Sequence, residues 1–225
     1  MRVPRRSTVC IWAAASDVYT SQIPRGVKGA LKGILAGHDA RLDVMRINGT
    51  RYAMYNVAAG AFTRATYTTS SSLKKRLGIF AYAVEVLRHE MKFRVFPLSV
   101  TGGEEPLISH VVLVLTMNGR SVAGMPINGR GSMADGQIEM AVIRQKEHPG
   151  FFARMGAYFS LIMLFLFHGR LWKRRITLLR GSAFSIRTEG DLVWDLDGEE
   201  GMRGNIEIEL LPRRMKLFVP AKKKI

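Results

Sequence analysis

Apolar residues recur at helical spacing in three stretches and at two-residue spacing through most of the remaining chain. In "PRGVKGALKGILA" (24–36), Val27, Ala30, Leu31, Ile34 and Leu35 fall at i, i+3, i+4, i+7 and i+8, with Pro24 in the first turn and Gly37 past the last. That spacing lines one helix face, and each flanking residue sits where a helix end tolerates it. Residues 70–91 predict the longest helix, with serines at the N-cap and Leu73, Leu77, Phe80, Val84, Leu87 and Met91 three or four apart. A third helix is expected near 149–168.

Strand patterns fill the space between. "RLDVMRINGTRYAMYNV" (41–57) places β-rich runs on both sides of Asn48-Gly49, a pair that accepts the positive φ angles of a tight hairpin. Further strands are expected at 93–100, 109–117, 137–143, 175–181, 183–188, 191–196, 205–211 and 216–220; in "NIEIELL" Ile206, Ile208 and Leu210 face one way, Glu207 and Glu209 the other. Many short strands with few helices predict an α+β, mainly β fold: a β-sandwich or barrel domain over 41–225 carrying two helices. Residues 1–40 stand apart from it, and 1–14 are expected to be disordered.

Composition narrows the partners. With 47% hydrophobic residues the chain can bury a core, and 34 Lys and Arg against 18 Asp and Glu give a net charge of +16 that favours anionic partners. The single Cys10 excludes an intramolecular disulfide and fits a reducing, cytosolic compartment. "MRVPRRSTVCIWAAA" (1–15) echoes a secretory signal, but its apolar run is too short. "MGAYFSLIMLFLF" (155–167) falls short of the roughly 20 apolar residues that a spanning helix needs. It reads as a buried helix or, with "RLWKRR" (170–175) following, as an interfacial one.

Three stretches could carry chemistry. "WDLDGEEG" (194–201) gathers Asp195, Asp197, Glu199 and Glu200 around an Asp-Gly turn, either as an ordinary solvated tip or with Asp197 and Glu199 facing one pocket as a base or magnesium ligands. "NGRGSMADGQIEMAVI" (128–143) is a glycine-rich loop in which Asp135 and backbone carbonyls could form an oxygen-lined cation site. "YNVAAGAFTRATY" (55–67) runs a strand into small residues and Gly60, suited to close packing or to a ligand. His38, His89, His110, His148 and His168 show no metal-ligand spacing, and no GxSxG, HExxH, Walker or GxGxxG pattern occurs.

Taken in order, these stretches resemble the later part of the bacterial diacylglycerol kinase and lipid kinase family over about residues 17–220. "ILAGHDARLDVMRINGTRYAMYNVAAGAF" (34–62) is similar to the passage into the family's second domain, and "LKKRLGIFAYAVEVLR" (73–88) to the helix that follows. "SMADGQIEMAVI" (132–143) resembles its Asp-Gly loop and "DLDGEEG" (195–201) its Asp-Gly-Glu motif. The resemblance implies phosphorylation of a lipid hydroxyl from ATP with Mg2+, by a nucleotide domain followed by a β-sandwich. Asp197 would be the general base with Glu199 beside it. Asp135 would bind a structural Mg2+ with carbonyls of Ser132 and Gln137, and Asp17 and Gly60 would lie on the cofactor side.

The chain departs from the family where the nucleotide is bound. Neither a Gly-Gly-Asp-Gly-Thr nor a Gly-Thr-x-Asn-Asp stretch is present; "AASDVYTSQIP" (14–24) matches only the tail of the second, with Ser16 where Asn is expected. Residues 1–40 then read as a remnant of an α/β nucleotide-binding domain, and weak or absent kinase activity is expected of these residues alone. The expected partners are a diacylglycerol-like lipid and the anionic inner face of the cytoplasmic membrane. A homodimer and a separately supplied nucleotide domain are both compatible with this reading. The alternative is a non-catalytic lipid- or partner-binding β-sandwich module, while nucleic acid has only the charge in its favour, so no nucleic-acid partner is expected.

Overall fold

The computed structural model describes residues 27–35, 39–61, 94–120, 122, 127–128, 131–166 and 176–218. The helix expected over 70–91, residues 1–14 and Asp17 lie outside the described residues.

The fold is mainly β. Helix α1 (Val27–Leu35) is followed by β1 (Asp39–Ile47), β2 (Arg51–Ala53), β3 (Asn56–Gly60), β4 (Phe96–Thr101), β5 (Leu107–Met117) and β6 (Ile138–Arg144). Helix α2 (Phe151–Leu166) precedes β7 (Ile176–Gly181), β8 (Ala183–Thr188), β9 (Val193–Leu196), β10 (Glu199–Arg203) and β11 (Ile206–Phe218). Asn48 and Gly49, at φ +46° and +70°, close the β1–β2 hairpin as their residue types predict. Leu31, Ile34 and Leu35 of α1 are not buried as their spacing suggests, Leu31 being 52% exposed and Leu35 83%.

All the described strands belong to one antiparallel sheet, ordered β10-β9-β3-β5-β4-β8-β11-β1-β2, with β6 and β7 branching from β5. The branch arises because β5 changes partners along its length. Residues 113–117 pair with β3 and residues 107–111 with β4, while β6 pairs along 111–117. The sheet curls, and both halves contribute to one core that includes Met45, Leu98, Met140, Phe184, Trp194 and Ile208. Trp194 is fully buried, and its Nε1 donates to Gly204 O at 2.7 Å, so the indole keeps its hydrogen bond inside the core.

Two features depart from the sequence pattern. The two strands expected at 205–211 and 216–220 are one long strand, β11, which passes Pro212 through a bulge: the β1 register jumps from Leu42↔Met215 to Val44↔Leu211. Arg213 sits there at φ +51° and donates its N–H to the Asp43 carboxylate at 2.7 Å, so a side chain replaces the ladder bond that the bulge breaks. The other departure is β10, whose sequence EEGMR lacks apolar alternation and whose hairpin to β9 is set by the turn alone.

Candidate active site

The Asp197-Gly198 turn joins β9 to β10 with Leu196 opposite Glu199. Asp197 (φ +55°) and Gly198 (φ +89°) both adopt left-handed conformations, which Asp and Gly tolerate and which match the twist of the hairpin. Asp195, almost fully buried, caps the turn from below by accepting the Gly198 N–H at 2.9 Å.

The turn aims the Asp197 side chain at the backbone between β2 and β3. Its Oδ2 accepts the Met54 N–H at 2.7 Å, and its Oδ1 those of Tyr55 at 2.8 Å and Asn56 at 2.9 Å. The Asp197 N–H returns a bond to Asn56 O at 3.0 Å, so the two segments clasp each other. Burial pushes the Asp197 carboxyl above the usual carboxylate range, aided by the nearby Asp195 and opposed by the three N–H groups. The result is a rigidly oriented carboxylate of raised basicity.

The four acidic residues of "WDLDGEEG" therefore have four environments. Asp195 is buried and Asp197 half-buried; Glu199 is exposed at the head of β10, and Glu200 is exposed and paired with Arg203 at 3.0 Å. Asp197 and Glu199 share the turn but not the three N–H groups.

The loop before β6 is held by a residue that the sequence reading did not single out. Asp43, fully buried in β1, accepts the Gly136 N–H on Oδ2 at 2.8 Å, and its own N–H donates to Met133 O at 2.7 Å. Asn118 Nδ2 joins Asp43 O at 2.9 Å to Met54 O at 2.8 Å. A hydrogen-bonded path thus runs from Asp197 through Met54, Asn118 and Asp43 to Gly136, connecting the two acidic loops. The sequence signal for Asp43 is weak, since β1 also carries the charged residues Asp39, Arg41 and Arg46. Replacing Asp43 by alanine should destabilise the protein by about 2 kcal/mol, because the N–H groups of Gly136 and Arg213 lose their acceptor. A lowered urea midpoint with an unchanged slope would show it.

Asp135 sits in this loop beside exposed Ser132 and half-buried Gln137. Its Oδ1 accepts the Gln137 N–H at 3.1 Å, and its Oδ2 lies 3.6 Å from Arg180 Nη2. Arg180 also faces Glu139 at 3.3 Å, a buried carboxyl whose pKa burial raises and to which Asn128 Nδ2 donates at 2.7 Å. Among the described residues, no group of three or more His, Cys, Asp or Glu is placed to hold a metal. As arranged, the loop is held by Asp43 and Arg180.

Gly60 ends β3 at φ +104°, where its backbone passes Val112, the residue at which β5 changes partners. A Cβ on Gly60 would lie 2.3 Å from Val112 O, so close backbone packing accounts for this glycine.

No family model matches the chain. Two diacylglycerol kinases of Staphylococcus aureus, from strains JH9 and Newman, are each 24% identical over 200 residues, which covers 88% of this chain and 61% of theirs. The chain is similar to the bacterial diacylglycerol kinases. It spans about three fifths of the length of these curated relatives, the matched share being 61%. A crystal structure of a diacylglycerol kinase from Bacillus anthracis str. Sterne superposes with a TM-score of 0.63 at 20% identity, over 92% of this chain and 66% of that one. A second crystal structure from the same organism gives 0.65 at 21% identity, over 90% and 64%. The likeness to these structures establishes the shared fold.

Proposed function

We propose that this chain supplies the acceptor side of an ATP- and Mg2+-dependent lipid kinase of the diacylglycerol kinase kind, acting as a peripheral protein at the cytoplasmic membrane face. The Asp197 carboxylate carries the reading. A general base must be oriented and basic enough to take a hydroxyl proton, and Asp197 is held by three backbone N–H groups while burial raises its pKa. Among the described residues Oδ2 accepts one N–H, that of Met54, and so keeps a lone pair for the lipid hydroxyl. Glu199, at the exposed head of β10, is its neighbour on the side from which an acceptor would enter.

When bound, ATP supplies the phosphoryl group and Mg2+ neutralises its charge. Asp135 with carbonyls of Ser132 and Gln137 would hold the magnesium, with Arg180 3.6 Å from the Asp135 Oδ2. Gly60 and Asp17 remain the candidates on the nucleotide side. In this reading residues 41–225 are the lipid-side β-sandwich, and residues 1–40 belong to the nucleotide-binding part.

A second reading, a non-catalytic lipid- or partner-binding module, is favoured by the lack of a glycine-rich phosphate loop in these 225 residues. An assay with diacylglycerol micelles and radiolabelled ATP separates the two. The chain alone should give little or no phosphorylated lipid. Joined ahead of Val27 to the part of a Staphylococcus aureus diacylglycerol kinase that the match leaves uncovered, it should turn over. A chimera that folds and binds ATP yet leaves diacylglycerol untouched would sink the kinase reading.

A further inference from the structure

Among the described residues of helix α2, two small ones face inward and three large ones outward. Ala157 is fully buried in the cluster beneath the helix, and Ser160 is buried with its hydroxyl donating to Gly156 O at 2.8 Å. Phe152 is 88% exposed, Met155 46% and Phe159 47%. These three fall at i, i+3 and i+7, so they form one solvent-facing stripe. The small residues let the helix sink against β6, and Gln145 Nε2 ties its first turn by donating to Ala153 O at 2.8 Å. The helix is therefore seated on the sheet through Ala157 while Phe152, Met155 and Phe159 stay exposed.

The sheet adds one more exposed apolar residue on the helix's side. Leu178 on β7, 59% exposed, is the cross-strand partner of Ala141, which lies in the cluster beneath α2, so Leu178 is on the same face of the sheet. The sequence that carries this patch is basic. Residues 148–188 contain no Asp or Glu and seven Lys or Arg, among them exposed Arg154 on α2 and the four of "RLWKRR".

We propose that the exposed face of α2 docks on an anionic bilayer, with Phe152, Met155 and Phe159 entering the interfacial layer and exposed Arg154 among them meeting the head groups. Sixteen residues give a helix about 24 Å long, shorter than the hydrocarbon core, and no described helix is long and apolar enough to cross a membrane. Such a helix lies in the interface plane. Charge decides between a bilayer and a second copy of the chain. Two copies meeting on this face would each bring a net +16, whereas an anionic leaflet complements that charge. The proposal deepens the lipid-kinase reading by naming the surface that meets the acceptor's membrane, and its test reads binding without turnover, so the two can fail separately.

Vesicle flotation of the 225-residue chain tests it, with phosphatidylcholine–phosphatidylglycerol vesicles set against phosphatidylcholine alone. The chain should float with the anionic vesicles, less so at high salt. Changing Phe152→Ser, Met155→Ser and Phe159→Ser together should weaken binding by at least about tenfold, because the apolar contribution to interfacial binding scales with buried area. A chain with Cys10→Ser and Met155→Cys, labelled with an environment-sensitive fluorophore, should shift to the blue on anionic vesicles, a readout that does not depend on how the triple variant folds. Failure of the parent chain to float, a triple variant that floats equally well, or a fluorophore that does not respond would each overturn the proposal. Self-association that the triple variant abolishes, with no vesicle response, would assign the face to a second copy instead.

Discussion

Changing Asp197→Asn in the active chimera should lower kcat by about 10²- to 10⁴-fold, the range associated with loss of a positioned general base. The substitution is conservative in shape and backbone, since Asn tolerates the φ of +55° that Asp197 adopts. What it changes is the chemistry of the carboxyl group. With its amide oxygen on the Tyr55 and Asn56 N–H groups, the new NH2 must face the Met54 N–H, donor against donor. That mismatch should cost about 1–3 kcal/mol of stability, so turnover is compared at a temperature where both proteins are folded. The pH profile separates a base from a merely structural residue. With Asp197 present, the acid limb of kcat/KM should lie above the usual carboxylate range, because burial raises this group; in the Asn variant the limb should vanish.

The same shift has a stability signature of known sign. The folded protein holds the Asp197 proton more tightly than the unfolded chain does, since its folded pKa is raised. Its contribution is therefore complete below the ordinary carboxylate pKa and is lost as pH rises through the raised value. Urea unfolding across acidic pH should show that loss in the parent protein and not in the Asn variant. An Asn variant with full turnover and an unchanged acid limb would remove Asp197 from the chemistry.

Changing Gly60→Val should destabilise the protein by about 4 kcal/mol or more, a large part of the roughly 5–15 kcal/mol that holds a domain together. Two costs coincide. A β-branched residue at φ +104° is strained by about 1–3 kcal/mol. Its Cβ would meet Val112 O at 2.3 Å and Phe96 Cε1 at 2.9 Å, and the first of these is backbone that cannot rotate away. Relieving the clash means moving β3 from β5 at the point where β5 passes from β3 to β4. Gly136→Ala is the control: its φ is +73°, yet a Cβ there meets nothing within 4 Å, so only about 1 kcal/mol is expected. Thermal unfolding that ranks the two variants equally would show that conformation rather than packing selects glycine at position 60.

Much of the architecture was legible because its causes are local. Asn48-Gly49 and Asp197-Gly198 are turns for a reason carried by their own side chains, namely tolerance of positive φ. The alternation in "NIEIELL" appears as buried Ile206, Ile208 and Leu210 between exposed Glu207 and Glu209. Helix α2 was legible as a helix, but its apolar run did not say which residues would face the sheet. β10 was missed because EEGMR has no periodicity of its own.

The candidate site was legible as four carboxylates and an Asp-Gly loop, and no further. Asp195, Asp197, Glu199 and Glu200 are chemically alike and near one another, so the sequence by itself determined that negative charge gathers at a β-turn. Tertiary structure alone decided that Asp197 is the residue clasped by Met54, Tyr55 and Asn56, 141 to 143 positions away. It alone made Asp43 the anchor of both the Gly136 loop and the Arg213 bulge, across 93 and 170 positions. The physical reason is range. Backbone dihedral preference and side-chain alternation act over a few residues, whereas desolvation and the supply of backbone N–H donors depend on which distant segments the sheet brings together.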